Sequence, residues 1–329
     1  MTNIKKIGLT ALAASLVSTS VFAGEVSVAG SASMTVEGYS GTAQNAGKGF
    51  SMGNQLTFTG GGELDNGLQV DISFVLDQGD DSTTVGATAT TPINSTSPFD
   101  SHSVKISSDG LGSITMHGEG GSNSAAALDT TAAGDIWDTF DGTTSGTAVS
   151  ASTSGADLLV YTLPEMVDGL AVAASYSPQQ SGAASSTAYS LTYTGVDGLS
   201  VSYGKGDTET GVSTTEADQT VTKASYAWNS FTIAYSNNDY STAVASKDQE
   251  TTSYKLSYTV SDAISVSYGE ETIDEEGDAL DAEYEGFTAS YTSGGMTLTA
   301  KAQSSTDALH TTAVAEDRDY WSLGLAFAF

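Results

Sequence analysis

From residue 318 onward the chain alternates: Trp321, Leu323, Leu325, Phe327 and Phe329 are large and apolar, while Ser322, Gly324, Ala326 and Ala328 between them are small. Period two marks a strand with one greasy face and one different face. The rhythm recurs upstream in units built of a polar turn, alternating apolar residues and a final Tyr: Val167–Tyr176, Val196–Tyr203, Trp228–Tyr235, Ser261–Tyr268 and Tyr284–Tyr291. Shorter versions follow Asn66-Gly67 and Asp109-Gly110. Asn-Gly and Asp-Gly between alternating runs predict tight hairpins, because Gly accepts the positive φ such turns require. The last unit is out of phase, and its strand pair can also turn at Gly294-Gly295. The pattern predicts sixteen strands, near 24–38, 50–63, 67–76, 101–108, 111–118, 156–163, 169–177, 187–195, 198–204, 221–229, 230–237, 252–260, 263–270, 283–292, 296–304 and 318–329. Very short connections alternate with long polar ones, a regularity that a soluble β-sandwich does not need.

Parity assigns the faces. Val26, Val28, Met34, Val36, Leu68, Val70, Ile72, Phe74, Leu199, Val201, Tyr254, Leu256, Tyr258, Met296 and Leu298 share the apolar side. The opposite side carries Glu37, Gln55, Asp71, Lys105, Lys255, Lys301 and Arg318 among many Ser and Thr, so a closed sheet would enclose water rather than oil. Tyr176, Tyr203, Tyr235, Tyr268 and Tyr291 fall at corresponding points of rising strands, while Tyr193, Trp228 and Tyr258 lie near short turns. With Trp321 and Phe329 they read as two girdles of amphipathic rings at membrane interfaces.

Composition fits a sheet that shows lipid only every second residue: 39% of residues are hydrophobic and the mean hydropathy is −0.11. Lys5 and Lys6, the apolar run Ile7–Val17 and Val21-Phe22-Ala23 predict a secretory signal peptide over residues 1–23, and 24–329 read as one domain. Cys is 0, so backbone pairing stabilises an exported chain without disulfides. Taking Lys5 and Lys6 from 10 basic residues leaves 8 against 40 acidic ones, which argues against nucleic acid as a partner.

One connection breaks the rhythm. Residues 119–155 are far longer than the ~12 to 15 residues usual for an unstructured link, so a function is expected of them. Ala125–Thr130 could form a short helix, and Asp135, Ile136, Trp137, Asp138, Phe140 and Asp141 mix acids with aromatics. A second acidic run holds Glu270, Glu271, Asp274, Glu275, Glu276 and Asp278, candidate oxygen ligands for Ca²⁺, against the reading of a solvated, self-repelling loop. It has no D-x-D-x-D-G register. Three His, His102, His117 and His310, with no nucleophile motif, do not support catalysis or a cofactor.

Sixteen strands, a leader, a terminal Phe329 and a long acidic third loop together resemble the general diffusion porins of Gram-negative outer membranes, most similar to the alphaproteobacterial branch. The resemblance implies an all-β, antiparallel up-and-down barrel in the outer membrane, a homotrimer, contact with lipid and lipopolysaccharide, and reading of Phe329 by the barrel-insertion machinery. It also implies a third loop folded into the lumen as a constriction. Carried over, Glu119, Asp129, Asp135, Asp138 and Asp141 are its acidic side. The wall opposite departs from the family's Arg cluster: Arg318 is the sole Arg, and Lys105, His117, Lys255, Lys301 and Lys223 are the available bases. The expected function is passive diffusion of small hydrophilic solutes and ions, with cation preference from the excess of carboxylates. A solute-selective channel and a plugged, adhesive barrel are the alternatives.

Overall fold

The structure, a computed structural model, describes residues 26–40, 47–77, 100–140, 154–155, 157–178, 185–208, 216–244, 247–308, 310 and 317–329. The expected leader, 1–23, and Asp141 lie outside the described residues. The strands are β1 (Val26–Ser40), β2 (Gly47–Glu63), β3 (Gln69–Asp77), β4 (Ser101–Ser108), β5 (Gly112–Glu119), β6 (Gly121–Ser122), β7 (Ser154–Gly155), β8 (Leu158–Thr162), β9 (Leu170–Ser177), β10 (Ser186–Tyr193), β11 (Leu199–Thr208), β12 (Ala217–Trp228), β13 (Phe231–Thr242), β14 (Gln249–Ser261), β15 (Ile264–Glu275), β16 (Ala282–Ser293), β17 (Met296–Thr306) and β18 (Arg318–Ala328). All except β6 and β7 close into one antiparallel barrel in which sequence neighbours pair and β18 returns to β1. β6 and β7 pair with each other at the root of the long connection.

Closure satisfies the backbone groups that an open edge would leave bare. At the seam Met34 faces Leu325 and Val36 faces Leu323. The last residue completes it: the Gly30 N–H donates to the Phe329 carbonyl at 2.7 Å, and the Phe329 N–H to the Gly30 carbonyl at 2.9 Å. The Phe329 ring lies so close over Gly30 that a Cβ there would sit 2.4 Å from it.

Alternation sorts the two faces as the residue pattern predicts. Val28, Met34, Ile72, Val104, Leu256 and Leu298 stand exposed on the outside of the cylinder. Aromatic pairs bridge neighbouring strands there, Phe231 with Tyr258 at 4.7 Å and Tyr235 with Tyr254 at 5.2 Å between ring centroids. Tyr176, Tyr203, Tyr235 and Tyr268 do lie on strands that rise from short turns, and Trp321 is outward near the start of β18. Tyr291 does not share their level. The turn forms at Gly294-Gly295, so Tyr291 closes a descending strand opposite Ile264, the first residue of β15. The off-phase unit was an accident of Gly-Phe spacing inside a strand.

The second correction concerns the acidic run. It is not a loop, because Glu270, Glu271, Asp274 and Glu275 belong to β15. Period two then sends Glu270 and Asp274 outward and Glu271 and Glu275 inward, so the six carboxylates of that stretch cannot converge together on one ion.

Among the described residues the buried hydrophobic cluster is small and lies against one wall. Strands β11 to β18 have 10 to 13 residues and β3, β4, β5, β8, β9 and β10 only 5 to 9, giving a tall wall and a low one. The buried side chains gather where the long connection lies against the inner face of the tall wall: Ile136 and Phe140 from the connection meet Ile273, Ala282, Tyr284, Ala308 and Tyr320.

Candidate functional site

The described part of the third connection holds two one-turn 3₁₀ helices, Ala126–Leu128 and Trp137–Thr139, joined by a turn. Asn123 starts the first, its Oδ1 accepting the N–H groups of Ala125 at 2.9 Å and Ala126 at 2.8 Å, the usual work of a helix-opening Asn. The turn between them folds on itself. Thr131 N–H donates to Asp135 Oδ1 and Asp135 N–H to Thr131 Oγ1, both at 2.8 Å. Asp135 has φ 56°, a left-handed conformation that Asp tolerates better than most residues.

Wall and loop are joined polar group to polar group. The loop's N–H groups at Ser124, Ala132 and Ala133 donate to Ser175, Ser236 and Ser253 Oγ at 2.8 to 2.9 Å. Its carbonyls are held from the other side, Thr130 by Lys223 Nζ, Ala133 by Lys255 Nζ at 3.4 Å, and Thr139 by the Tyr39 hydroxyl at 2.9 Å. Glu271, 1% exposed, is the central anchor: Thr131 Oγ1 donates to its Oε1, and Trp137 N–H to its Oε2 at 3.0 Å. Glycines let the backbones approach. A Cβ at Gly269 would lie 2.6 Å from Ala133 Cβ, and one at Gly204 3.1 Å from Ala125 Cα, so these strand glycines mark a groove for the loop.

These contacts fall on strands from β9 through β18 and on β1, always on the face opposite the exposed apolar residues, which puts the loop inside the cylinder. Among the described residues, none of these loop contacts falls on the inner faces of β2 to β5. There Asp71 pairs in register with Lys105, both exposed, and Ser103 with His117, which leaves Lys105 diagonal to His117 as the hairpin at Asp109-Gly110 requires.

The expected site residues separate into three groups. Asp129, Asp135 and Asp138 lie on the inner run of the loop, Asp138 exposed and the other two half-buried. Burial, then the nearby Asp135, pushes the Asp129 carboxyl up to about 6, against the opposing pull of Gln219 and Lys223. Glu119 instead ends β5 at the loop's root, paired with His102 across a bulge. Of the wall bases, Lys223 and Lys255 are occupied by loop carbonyls, and Arg318 is buried at 5% exposure rather than lining water. Glu37 accepts from the Tyr320 hydroxyl at 2.9 Å and shares a row with Lys301, since each faces Ser322 from one side.

Sequence reasoning missed the anchors: Ser175, Ser236, Ser253, Tyr39, Gly204, Gly269 and the inward role of Glu271. A signal was available. Four Tyr of the repeat, and Tyr254 on β14, have a small residue beside them, Ser175-Tyr176, Tyr203-Gly204, Tyr235-Ser236, Ser253-Tyr254 and Tyr268-Gly269, and that neighbour points at the loop.

The profile of a family described as Gram-negative porin matches residues 8–292. No protein with a curated description matches the sequence. Among solved structures, a porin refined at 1.8 Å is 19% identical with a TM-score of 0.64. An anion-selective porin from Comamonas acidovorans is 16% identical with a TM-score of 0.66, and a loop-deletion mutant of OmpT, an outer membrane protein of Vibrio cholerae, is 12% identical with a TM-score of 0.66. Each comparison covers 93% of this chain and 100% of the other, so the likeness is one of whole folds.

Proposed function

The chain belongs to the Gram-negative porin family, and from that premise we propose that this outer-membrane channel, through which small hydrophilic solutes diffuse passively, prefers cations and is gauged by its third loop. The observation that carries the reading is the disposition of charge around the loop. Three of its carboxyl groups, Asp129, Asp135 and Asp138, keep some or full exposure, while Lys223 and Lys255 are tied to loop carbonyls. Lys105 and Lys301 are the lysines left on the inner face among the described residues, with His117 beside Lys105, and rings of carboxylates favour cations in a pore. The Comamonas porin is described as anion-selective; the charge balance here points the other way.

A planar bilayer under a KCl gradient tests this. Large, stable conductance steps with a reversal potential of cation sign are expected. Because the Asp129 carboxyl is raised to about 6, it is largely neutral at pH 5 and ionised at pH 7.5. The potential should therefore move further toward the cation value across that interval, by on the order of 10 mV. Asp129→Asn should flatten the step; a reversal potential of anion sign, or the same pH step in the variant, refutes the assignment.

The outer surface supports a lipid contact of stated chemistry. Above the aromatic row, acids stand directly opposite one another on the outward face: Asp239 with Glu250, Glu250 with Asp274, and Glu270 with Glu285. The Tyr268 hydroxyl lies 2.7 Å from a carboxylate oxygen of each of Glu270 and Glu285, and its single proton serves one of them at a time. Like charges directly across a ladder are destabilising unless something neutralises them. Divalent cations bridging these carboxylates to lipopolysaccharide phosphates would do so. Chelation should lower the thermal unfolding temperature of the lipopolysaccharide-bound protein by several degrees, with recovery on adding Mg²⁺; an unchanged temperature argues against such bridges.

A further inference from the structure

The β13–β14, β15–β16 and β17–β18 connections supply groups that meet at the rim above the loop-bearing wall. Glu275 ends β15, and Gly277, at φ 108°, turns the chain back so that the Asp278 N–H donates to the Glu275 carbonyl at 3.1 Å. From the last connection comes His310, 6% exposed, with Nδ1 2.9 Å from the Leu280 carbonyl. A carbonyl can only accept, so Nδ1 carries the proton and the neutral ring presents a bare lone pair at Nε2. That Nε2 is buried and has no partner among the described residues. One ring nitrogen of His310 and one carboxylate oxygen from each of Glu275 and Asp278 all lie within 4.8 Å of one another.

We propose that Glu275, Asp278 and His310 form a binding site for a first-row divalent transition cation of the Zn²⁺ kind. An imidazole held by a backbone carbonyl through one nitrogen, with the other free, is the orientation metal-bound His adopts. The nitrogen also selects against Ca²⁺ and Mg²⁺, which want oxygen alone. Two carboxylates and one imidazole leave a fourth, tetrahedral position for water. Tetrahedral ligands about 2.1 Å from a metal stand roughly 3.4 Å apart, so the trio needs to contract by no more than about 1.5 Å. Lys247, 63% exposed, pairs with Glu275 and supplies a positive charge in the cation's absence; being a surface contact, it is cheaply displaced. The ion would tie the last connection to the β15–β16 turn, two residues from Ala308 in the apolar cluster around Phe140.

The test uses full-length folded protein in detergent, stripped with chelator, then titrated with Zn²⁺ by calorimetry and with Co²⁺ by visible absorption. One site per chain is expected, with the intense d–d bands of four-coordinate Co²⁺ and no displacement by a large excess of Ca²⁺. His310→Ala should weaken binding at least tenfold and abolish the bands. Asp278→Asn, which leaves His310 and its Leu280 contact in place, should weaken it similarly while the unheated barrel migrates as wild type. If His310→Ala binds Zn²⁺ as tightly as wild type, or Ca²⁺ competes at equal concentration, scattered surface carboxylates hold the ion and the proposal is overturned.

Discussion

A chain lacking Ala125–Phe140 is expected to pass at least about twice the ion current of the complete protein, because the segment occupies the lumen without setting its girth. The girth comes from sixteen strands in fixed register, and every strand pair is made without help from these residues. What the deletion uncovers is mostly polar: Ser175, Gln219, Ser236, Asn238, Ser253 and Glu271, which water can satisfy as well as the loop did. Ile273, Ala282 and Tyr284 lose their apolar cover, at a cost of about 25 cal/mol for each Å² wetted, small beside the barrel ladder. The shortened chain should therefore still fold, which unheated gel migration checks. Cation preference should fall with the rise in current, since Asp129, Asp135 and Asp138 leave together. A folded variant with unchanged conductance would mean that the loop does not gauge the passage.

Legibility in the sequence followed the range of the interaction. Strand number, hairpin positions and the facing of Leu256 or Ile72 depend on neighbours within one ladder, and a period of two exposes them. Upper strand ends were less readable. β15 continues through Glu270-Glu271 to Glu275, where charge density argues for a loop; there the strand alternates exposed carboxylates on its outer face with buried groups on its inner one. The loop's acids were legible as a group, yet the atoms that hold it were not. Ser175, Ser236 and Ser253 come from three strands, and only closure of the cylinder brings them to one line along the loop. His310 was passed over for the same reason: its partners, Leu280, Glu275 and Asp278, lie about thirty residues earlier.

Replacing Glu271 by Ala is expected to release the loop from the wall while leaving the barrel intact. The carboxyl group takes a hydroxyl from Thr131 and an N–H from Trp137, and at 1% exposure no water stands ready to replace it. Each group left without its acceptor costs about 1–3 kcal/mol, so the pair amounts to roughly 2–6 kcal/mol of local stability. That exceeds what any one serine contact supplies, about 1 kcal/mol. None of it enters the ladder, because Glu271 takes its place opposite Tyr284 through main-chain groups alone. Local opening then shows in hydrogen exchange: the amides of Ala132, Ala133 and Trp137 should exchange roughly a hundredfold faster, with the β15 amides unchanged. Single-channel records should turn noisy, with brief excursions toward the current of the loop-deleted chain. Glu271→Gln keeps an oxygen for Thr131 but can turn an amide hydrogen toward the Trp137 N–H, so its effect should lie between. Thr131→Val removes one of the two Glu271 bonds and also the acceptor of the Asp135 N–H, so its effect should exceed that of Glu271→Gln. Wild-type exchange at Ala132 and Ala133 in the Ala variant would show that the serines and lysines suffice, and that the buried carboxyl is a passenger rather than the anchor.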